Sequence, residues 1–190
     1  INSKDIFLDI ENTVKKIQDY LKFPLFIKPA NLGSSVGISK SKNKDDLIKA
    51  LNIAAEYDRR VIVEEGRNIR EIEISALGNE DVKLSSCGEV IPGSEFYDYE
   101  SKYIKDTSVT KIADDLSTET LKEIKRLSEI SYKALDLSGF TRIDFFIDKD
   151  TNEILLNEVN TLPGFTAISM YPKLWENEGI QLNMLLDELI

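Results

Sequence analysis

Two short strand-like segments joined by a polar turn constrain the fold of this chain more than any other feature. Residues 140–147 and 153–160 are rich in β-branched, aromatic and other apolar residues, and the intervening residues 148–152 are all charged or polar. This pattern is typical of a β-hairpin. Elsewhere, patterns for helices and strands follow one another in mixed order, which favours an α+β fold over a purely parallel sheet.

The hairpin predicts a cluster of polar side chains on one face. Because side chains alternate between the two faces of a strand, Arg142 and Asp144 share one face of the first strand. By the same rule, Glu158 and Asn160 share one face of the second strand. A register symmetric about Thr151 places Asp144 opposite Glu158. Arg142 then lies opposite Asn160.

Two interpretations of this polar cluster are open. Two carboxylates and an amide oxygen suit Mg²⁺, and directly opposed carboxylates destabilise a sheet unless a cation lies between them. Alternatively, the cluster is a solvated face on which Arg142 neutralises the acids. The apolar residues beside the acids favour a half-buried face and therefore the metal site. They are Phe145, Phe146, Leu155 and Leu156.

Weaker motifs lie before and after the hairpin. Lys28 precedes a glycine-punctuated loop, residues 33–37, whose N–H groups suit a phosphate, although an ordinary turn is the more common reason for such a loop. Glu64 and Glu71 could contact the base and ribose of a nucleotide or could be surface acids. The Pro-Gly turn at residues 163–164 could present N–H groups to an oxyanion or could be structural only.

A long segment of weak periodicity, residues 92–115, lies in the middle of the chain. Loops of this length in compact domains are usually functional or disordered, and aromatic residues argue against disorder. We therefore expect a functional loop over residues 94–115. Its aromatic residues are Phe96, Tyr97, Tyr99 and Tyr103.

Composition excludes several classes of function. The 190 residues include no histidine, which excludes imidazole catalysis, and the single Cys87 excludes internal disulfides and cysteine-cluster metals. A net charge of −10 argues against nucleic-acid and anionic-membrane partners. Without a membrane-length apolar run or a signal pattern, the sequence predicts a reduced, soluble, cytoplasmic protein. Because the chain begins at Ile1 and ends within an apolar helical pattern, we expect a fragment.

Five motifs together resemble those of D-alanine–D-alanine ligases in order and spacing, over nearly the whole chain from residue 23 to residue 190. They are residues 28–37 (KPANLGSSVG), 70–73 (REIE), 96–103 (FYDYESKY), 142–146 (RIDFF) and 157–166 (NEVNTLPGFT). The resemblance implies an α+β ATP-grasp fold, in which two lobes with antiparallel sheets clamp ATP. Residues 1–90 would form the small central lobe, and residues 91–190 the large C-terminal lobe with its active-site loop at 94–115.

The resemblance also implies roles for particular residues. Those expected to bind ATP are Lys28, Ser35, Glu64, Glu65, Glu71 and Lys102. Those expected to ligate two Mg²⁺ ions, for which Mn²⁺ can substitute, are Asp144, Glu158 and Asn160. Those expected to act in catalysis are Ser34, Tyr103, Arg142 and Gly164. Those expected to hold the carboxylate of the second D-alanine are Ser169 and Met170.

The implied reaction joins two D-alanines into D-alanyl-D-alanine for peptidoglycan precursors, through an acyl phosphate made from ATP. Phosphoryl transfer depends mainly on positioning and charge neutralisation, so it does not need histidine. The family's N-terminal lobe is missing, so we expect little ligase activity from this chain alone and a homodimer only for the full-length protein. The alternatives are another ATP-grasp carboxylate–amine ligase and a nucleotide-binding module without catalysis.

Overall fold

The chain divides into two compact units. The computed structural model describes residues 1–33, 35–91, 109–166 and 168–190. Of these, residues 1–67 form the first unit, and residues 68–91 and 109–190 form the second. The boundary differs from the one expected at residue 90, because both strands between residues 69 and 91 belong to the sheet of the second unit.

The first unit is a small antiparallel sheet packed against helices. Its described helices are α1 (Ser3–Leu8), α2 (Ile10–Tyr20) and α3 (Lys44–Tyr57). Its described strands are β1 (Leu25–Pro29), β2 (Ser39–Ser41) and β3 (Val61–Glu65), in the order β2-β1-β3. Val14 and Ile17 on α2 recur at helical spacing and join Leu25 and Ile27 of β1 in one core, which fixes the helix on the sheet.

The second unit is built on a larger antiparallel sheet. Its described strands are β4 (Ile69–Gly78), β5 (Lys83–Ile91), β6 (Val109–Ile112), β7 (Gly139–Asp148) and β8 (Ile154–Asn160), in the order β6-β5-β4-β7-β8. Its described helices are α4 (Thr118–Ala134), α5 (Met170–Asn177) and α6 (Leu182–Leu189). Two antiparallel sheets with flanking helices confirm the predicted α+β class. Within the described ranges, no helix is long and apolar enough to cross a membrane.

The two faces of the larger sheet are covered by different helices. On one face, Ile72 and Ile143 pack with Ile124 of α4. On the other face, the hydroxyl of Ser75 donates to the backbone carbonyl of Tyr171 on α5 at 3.2 Å. Because side chains alternate along each strand, the face under α5 also carries the polar residues that sequence analysis singled out on β7.

Part of the predicted loop 94–115 is a strand. Residues 109–112 form β6, with Val109 paired to Ile91 and Lys111 paired to Glu89. The strand escaped prediction because its pairing partner, and not its own periodicity, determines its conformation. Residues 94–108 of the predicted loop lie outside the described residues.

The thiol of Cys87 is expected to be unreactive in the folded chain. Cys87 is 2% exposed, and burial raises the pKa of its thiol to about 12 against the opposing charge of Lys125. Since the thiolate is the reactive form, an aromatic disulfide reagent at pH 8 should modify this residue only after denaturation. The release of the chromophore measures this, with Cys87→Ser as the blank. Rapid modification of the native chain would contradict the prediction.

Candidate functional site

The hairpin of β7 and β8 brings four predicted residues together. Asp144 is paired with Glu158, which confirms the predicted register at this point. Arg142 is paired with Asn160, as also predicted. One face of the hairpin therefore carries two carboxylates, a guanidinium and an amide.

Nearer to the turn, the pairing differs from the predicted symmetry by one residue. The N–H of Asp148 donates to the carbonyl of Glu153 at the turn. In the strands that follow from this turn, Phe145 is paired with Leu156, whereas symmetry about Thr151 would pair it with residue 157. A β-bulge between this pair and Asp144 then shifts the register back. The predicted pairing at the site is therefore obtained through a bulge that the sequence pattern did not indicate.

Asp144 is the centre of the polar cluster. Arg142 donates to both of its carboxylate oxygens, from Nε to Oδ1 and from Nη2 to Oδ2, each at 2.7 Å. The amide of Asn160 donates to Asp144 Oδ2 at 3.0 Å and to Glu158 Oε1 at 3.4 Å. Asp144 is 8% exposed, whereas Glu158 is exposed. The face is thus buried on β7 and open on β8, which makes it accessible to a ligand from one side.

Sequence reasoning missed a third carboxylate beside this cluster. Glu73 on β4 is paired with Asp144 across the sheet, and its Oε2 lies 3.4 Å from Arg142 Nε. The alternation of charged and apolar residues along β4 indicated that Glu73 faces the same side as Glu71. Nothing in that pattern showed that β4 is the neighbour of β7, so the contact required the structure.

The charges around Arg142 keep it protonated. Burial by itself would lower the pKa of the guanidinium. The hydrogen bond to Asp144 and the charges of Asp144, Glu73 and Glu158 outweigh burial and raise that pKa above its ordinary value. Arg142 therefore supplies a fixed positive charge that faces three carboxylates.

The residues present fit a hard divalent cation. Carboxylate oxygens of Asp144 and Glu158 face each other from neighbouring strands, and a half-turn of the Asn160 amide would present its oxygen to the same position. Within the part of the chain that the structure describes, no group of three or more His, Cys, Asp or Glu side chains forms a metal cluster. The candidate set is therefore two carboxylates and one amide, with Arg142 as a competing cation.

The start of α5 lies on the same face as these carboxylates. Gly88 on β5 is paired with Glu73, and a Cβ at Gly88 would overlap the sulfur of Met170. Met170, the first residue of α5, is 5% exposed. Gly88, Glu73 and Asp144 are paired in a row across β5, β4 and β7, and Met170 packs against the first of them. A predicted substrate residue and a predicted metal ligand therefore lie on one face of the sheet.

The turn after β8 folds back onto the start of α5. Ser169 Oγ accepts a hydrogen bond from the N–H of Thr166 at 3.0 Å and lies 2.9 Å from Thr166 Oγ1. A Cβ at Gly164 would come within 2.9 Å of Ser169 Oγ, so a side chain at this position would displace the serine. Gly164 and Ser169, predicted for catalysis and substrate binding, are therefore neighbours.

Three predicted nucleotide residues of the first unit already have partners within that unit. Lys28 Nζ forms an ion pair of 3.0 Å with Glu64 Oε2 across β1 and β3. Glu65 accepts a hydrogen bond from the N–H of Lys22 at 2.7 Å. Lys28 thus has a carboxylate partner of its own, which an incoming phosphate would have to replace.

Two backbone hydrogen bonds join described residues in and beside the glycine-punctuated loop. The N–H of Val36 donates to the carbonyl of Gly33, and the N–H of Ile38 donates to the carbonyl of Ser35, each at 3.3 Å. Ser35 and Gly37 have left-handed backbone conformations, with φ of 59° and 75°. Part of the N–H set expected to bind phosphate is therefore engaged within the loop itself.

The remaining predicted residues divide into two groups. Glu71 lies on β4 two residues before Glu73, on the face that carries Asp144. Among the predicted residues, those that lie outside the described ranges are Ser34, Lys102 and Tyr103. Their predicted roles stay predictions.

Comparisons with known proteins identify the family of this chain. Residues 1–190 match the family described as D-ala D-ala ligase C-terminus. The D-alanine–D-alanine ligase of Acetivibrio thermocellus is 51% identical over 187 residues, which are 98% of this chain and 50% of that ligase. The chain therefore spans about half the length of the curated relatives that it matches.

Solved structures of ligases share the fold. A D-Ala:D-Ser ligase from Enterococcus faecalis superposes with a TM-score of 0.82 and 38% identity, over 96% of this chain and 53% of that one. The D-alanine–D-alanine ligase from Bacillus anthracis, complexed with ATP, has a TM-score of 0.75 and 31% identity, over 93% and 55% of the two chains. The expected ATP-grasp fold is thereby confirmed. Since the family match covers every residue, this chain belongs to the D-alanine–D-alanine ligase family, whose C-terminal portion it matches.

Proposed function

We propose that this chain is the ATP- and metal-binding portion of a D-alanine–D-alanine ligase and works with the N-terminal half that its relatives have. The observation that carries the proposal is the pairing of Asp144 with Glu158, beside Arg142 and Asn160. Two opposed carboxylates with an amide oxygen suit a hard divalent cation. A guanidinium held at the same point suits the negative charge that develops during acyl transfer.

The proposed chemistry needs a cation, donors for an oxyanion and groups that hold the nucleotide. Mg²⁺, when bound, would supply charge neutralisation at the phosphates of ATP. Arg142 would face the carboxylate that reacts, and the N–H of Gly164 would donate to the oxyanion formed from it. The residues proposed to contact the nucleotide are Lys28, Ser35, Glu64, Glu65, Glu71 and Lys102.

The acceptor end of the proposed site is the start of α5. Ser169 and the backbone of Met170 would hold the carboxylate of the second D-alanine, and Ser34 with Tyr103 would close the loop over the site. Two contacts support this part: Met170 packs against Gly88, which is paired with Glu73 on the face that carries Asp144, and Gly164 lies beside Ser169. The role in peptidoglycan precursor synthesis, the cytoplasmic location and the homodimer stay predictions.

Replacing Asp144 should remove the metal dependence of nucleotide binding. In a calorimetric titration of the chain with a non-hydrolysable ATP analogue and Mg²⁺, we expect Asp144→Asn to weaken binding about 100-fold, because it removes a charged ligand. Asp150→Asn is the matched control, since Asp150 lies exposed in the turn of the same hairpin. Equal binding by the two variants, or no effect of Mg²⁺ on the unaltered chain, would contradict the proposed metal site.

The identity of the acceptor needs a separate assay. In a protein that joins this chain to an N-terminal half, ADP release with D-alanine as acceptor should exceed release with D-serine. The resemblance implies D-alanine as acceptor, because related ligases that make ester- or serine-terminated products are expected to differ from this chain near Tyr103. Equal or greater release with D-serine would assign the chain to the other substrate class.

A further inference from the structure

Glu73 lies on the same face as the proposed metal ligands but has no part in the proposed function. It is the cross-strand partner of Asp144 on β4, and its side chain is 13% exposed. Glu73, Asp144 and Glu158 are therefore a row of paired positions across three adjacent strands. Arg142 stands beside this row and interacts with the charges of all three carboxylates.

The contacts of Asp144 put two cations in competition. Arg142 donates to both carboxylate oxygens of Asp144, each at 2.7 Å. A divalent cation needs at least one of these oxygens, and its charge repels the guanidinium. Arg142 must therefore release part of its hold on Asp144 before Asp144 can act as a ligand. A buried guanidinium released without a new acceptor would be costly, because it would leave N–H donors unsatisfied.

Glu73 is placed to accept the released guanidinium. Its Oε2, which is shielded from solvent, lies 3.4 Å from Arg142 Nε. A shift of less than about 1 Å would shorten this contact to a normal charged hydrogen bond. The same shift would lengthen the contact between Arg142 and Asp144, and the guanidinium would stay on the same face of the sheet.

We propose that Glu73 is a positioning residue, which accepts Arg142 from Asp144 when a divalent cation binds. Glu73 thereby frees Asp144 as a ligand and keeps Arg142 beside the reacting groups. This inference rests on the metal site of the proposed function. It predicts that the affinity for a hard divalent cation depends on Glu73 through Arg142, and not only through the negative charge of Glu73.

A double-mutant cycle with Mn²⁺ as the probe separates these two effects. Free Mn²⁺ is measured by electron paramagnetic resonance during titration of the chain. The loss of affinity on Glu73→Gln should be about tenfold larger with Arg142 present than in the Arg142→Gln background, which corresponds to one charged hydrogen bond. Glu73→Asp should restore most of the affinity, and it serves as the second variant if Glu73→Gln folds poorly. An equal loss in both backgrounds would overturn the proposal, since Glu73 would then act as a charge alone.

Two controls identify which inference fails. Glu123→Gln removes another carboxylate that pairs with an arginine, on α4, which covers the opposite face of the same sheet, and it should leave Mn²⁺ affinity unchanged. If Asp144→Asn binds Mn²⁺ as the unaltered chain does, the metal site and the role of Glu73 both fail. If Asp144→Asn loses binding but Glu73→Gln keeps it, only the role of Glu73 fails.

A direct readout follows the guanidinium itself. With ¹⁵N-labelled arginine, addition of diamagnetic Mg²⁺ should shift the Nε–Hε resonance of Arg142 in the unaltered chain. Glu73→Gln should reduce that shift at equal metal saturation, because the new acceptor is missing. An unchanged shift in the variant would contradict the transfer of Arg142 from Asp144 to Glu73.

Discussion

Replacing Tyr171 with alanine should destabilise the second unit by about 4 kcal/mol, the usual cost of removing a buried aromatic side chain. Tyr171 is fully buried, and its ring lies 5.6 Å from that of Phe140 and 5.7 Å from that of Phe165. Its hydroxyl donates to the carbonyl of Ala76 on β4 at 2.9 Å. Tyr171 thereby joins α5, the turn after β8 and the central strand of the sheet.

The single tryptophan makes this prediction measurable in one unit. Trp175 lies on α5 and is 3% exposed, so its fluorescence reports unfolding of the second unit during urea denaturation. Tyr171→Phe keeps the ring and removes the hydrogen bond, and should cost about 1 kcal/mol. Tyr20, which is 87% exposed, provides the control Tyr20→Ala, with no measurable change expected. A loss for Tyr171→Ala as small as that for Tyr171→Phe would show that ring packing contributes little.

The same substitution bears on the proposed acceptor site. Tyr171 directly follows Ser169 and Met170, the residues predicted to hold the second substrate. Because Tyr171 fixes the first turn of α5, its loss should raise the KM for the acceptor in a complete ligase more than it lowers ATP affinity. The stability and acceptor effects therefore have one structural cause.

Part of the local pairing was predictable from the sequence, whereas the order of the strands was not. Alternation and a turn centred on Thr151 predicted the pairing of Asp144 with Glu158, although the hairpin reaches it through a β-bulge that the pattern did not indicate. Glu73 approaches Asp144 only because β4 lies between β5 and β7, and strand order is set by long-range packing. For the same reason, the expected boundary at residue 90 separated β4 and β5 from the sheet to which they belong.

The resemblance supplied site residues whose relative positions needed the structure. Met170 and Gly164 were named from motifs, but that Met170 packs against Gly88 could not be deduced from the spacing of residues. Conversely, the sequence pattern left Mg²⁺ and Arg142 as alternative cations at the acids, whereas the structure shows that Arg142 holds both carboxylate oxygens of Asp144. Motifs identify chemical groups, and only the register of neighbouring strands shows which of these groups compete.

A second large effect is expected at a charge network on the opposite face of the sheet. Arg70 on β4 donates to both carboxylate oxygens of Glu89 on β5 and to Asp115, each at 2.8 Å. Lys111 on β6 pairs with Glu89 at 3.1 Å. Glu89 is 7% exposed and Arg70 is half-buried, so the ion pair between them is largely shielded from solvent, whereas Lys111 and Asp115 are exposed. The network joins three strands and the segment after β6.

This network also fixes both ends of the segment between β5 and β6. Ile91 and Val109, which flank residues 92–108, are paired with each other. Two residues further into each strand, Glu89 is paired with Lys111. The predicted ATP and loop-closing residues Lys102 and Tyr103 belong to this segment in the sequence. Glu89 therefore anchors the base of a segment whose proposed role is catalytic.

Glu89→Gln should lower the stability of the second unit by about 3 kcal/mol at pH 7, because breaking a buried ion pair leaves Arg70 without its main partner. The effect should depend on pH with a definite sign. The hydrogen bond from Arg70 holds the pKa of Glu89 below its ordinary value of 4.5. The stabilisation is therefore fully present above pH 4.5 and is lost as the pH falls through the lowered pKa.

Urea denaturation followed by Trp175 fluorescence at pH 7 and at successively lower pH tests both statements. The difference in the free energy of unfolding between the unaltered chain and Glu89→Gln should be largest near neutral pH and should shrink below pH 4.5. Glu123→Gln is the matched control, because Glu123 forms an exposed ion pair with Arg126 on α4 and should matter little at any pH. Only the ionised carboxylate of Glu89 can bind Arg70 and Lys111 together. If the difference in the free energy of unfolding stays constant with pH, the packing of the Glu89 side chain and not its charge therefore accounts for its role.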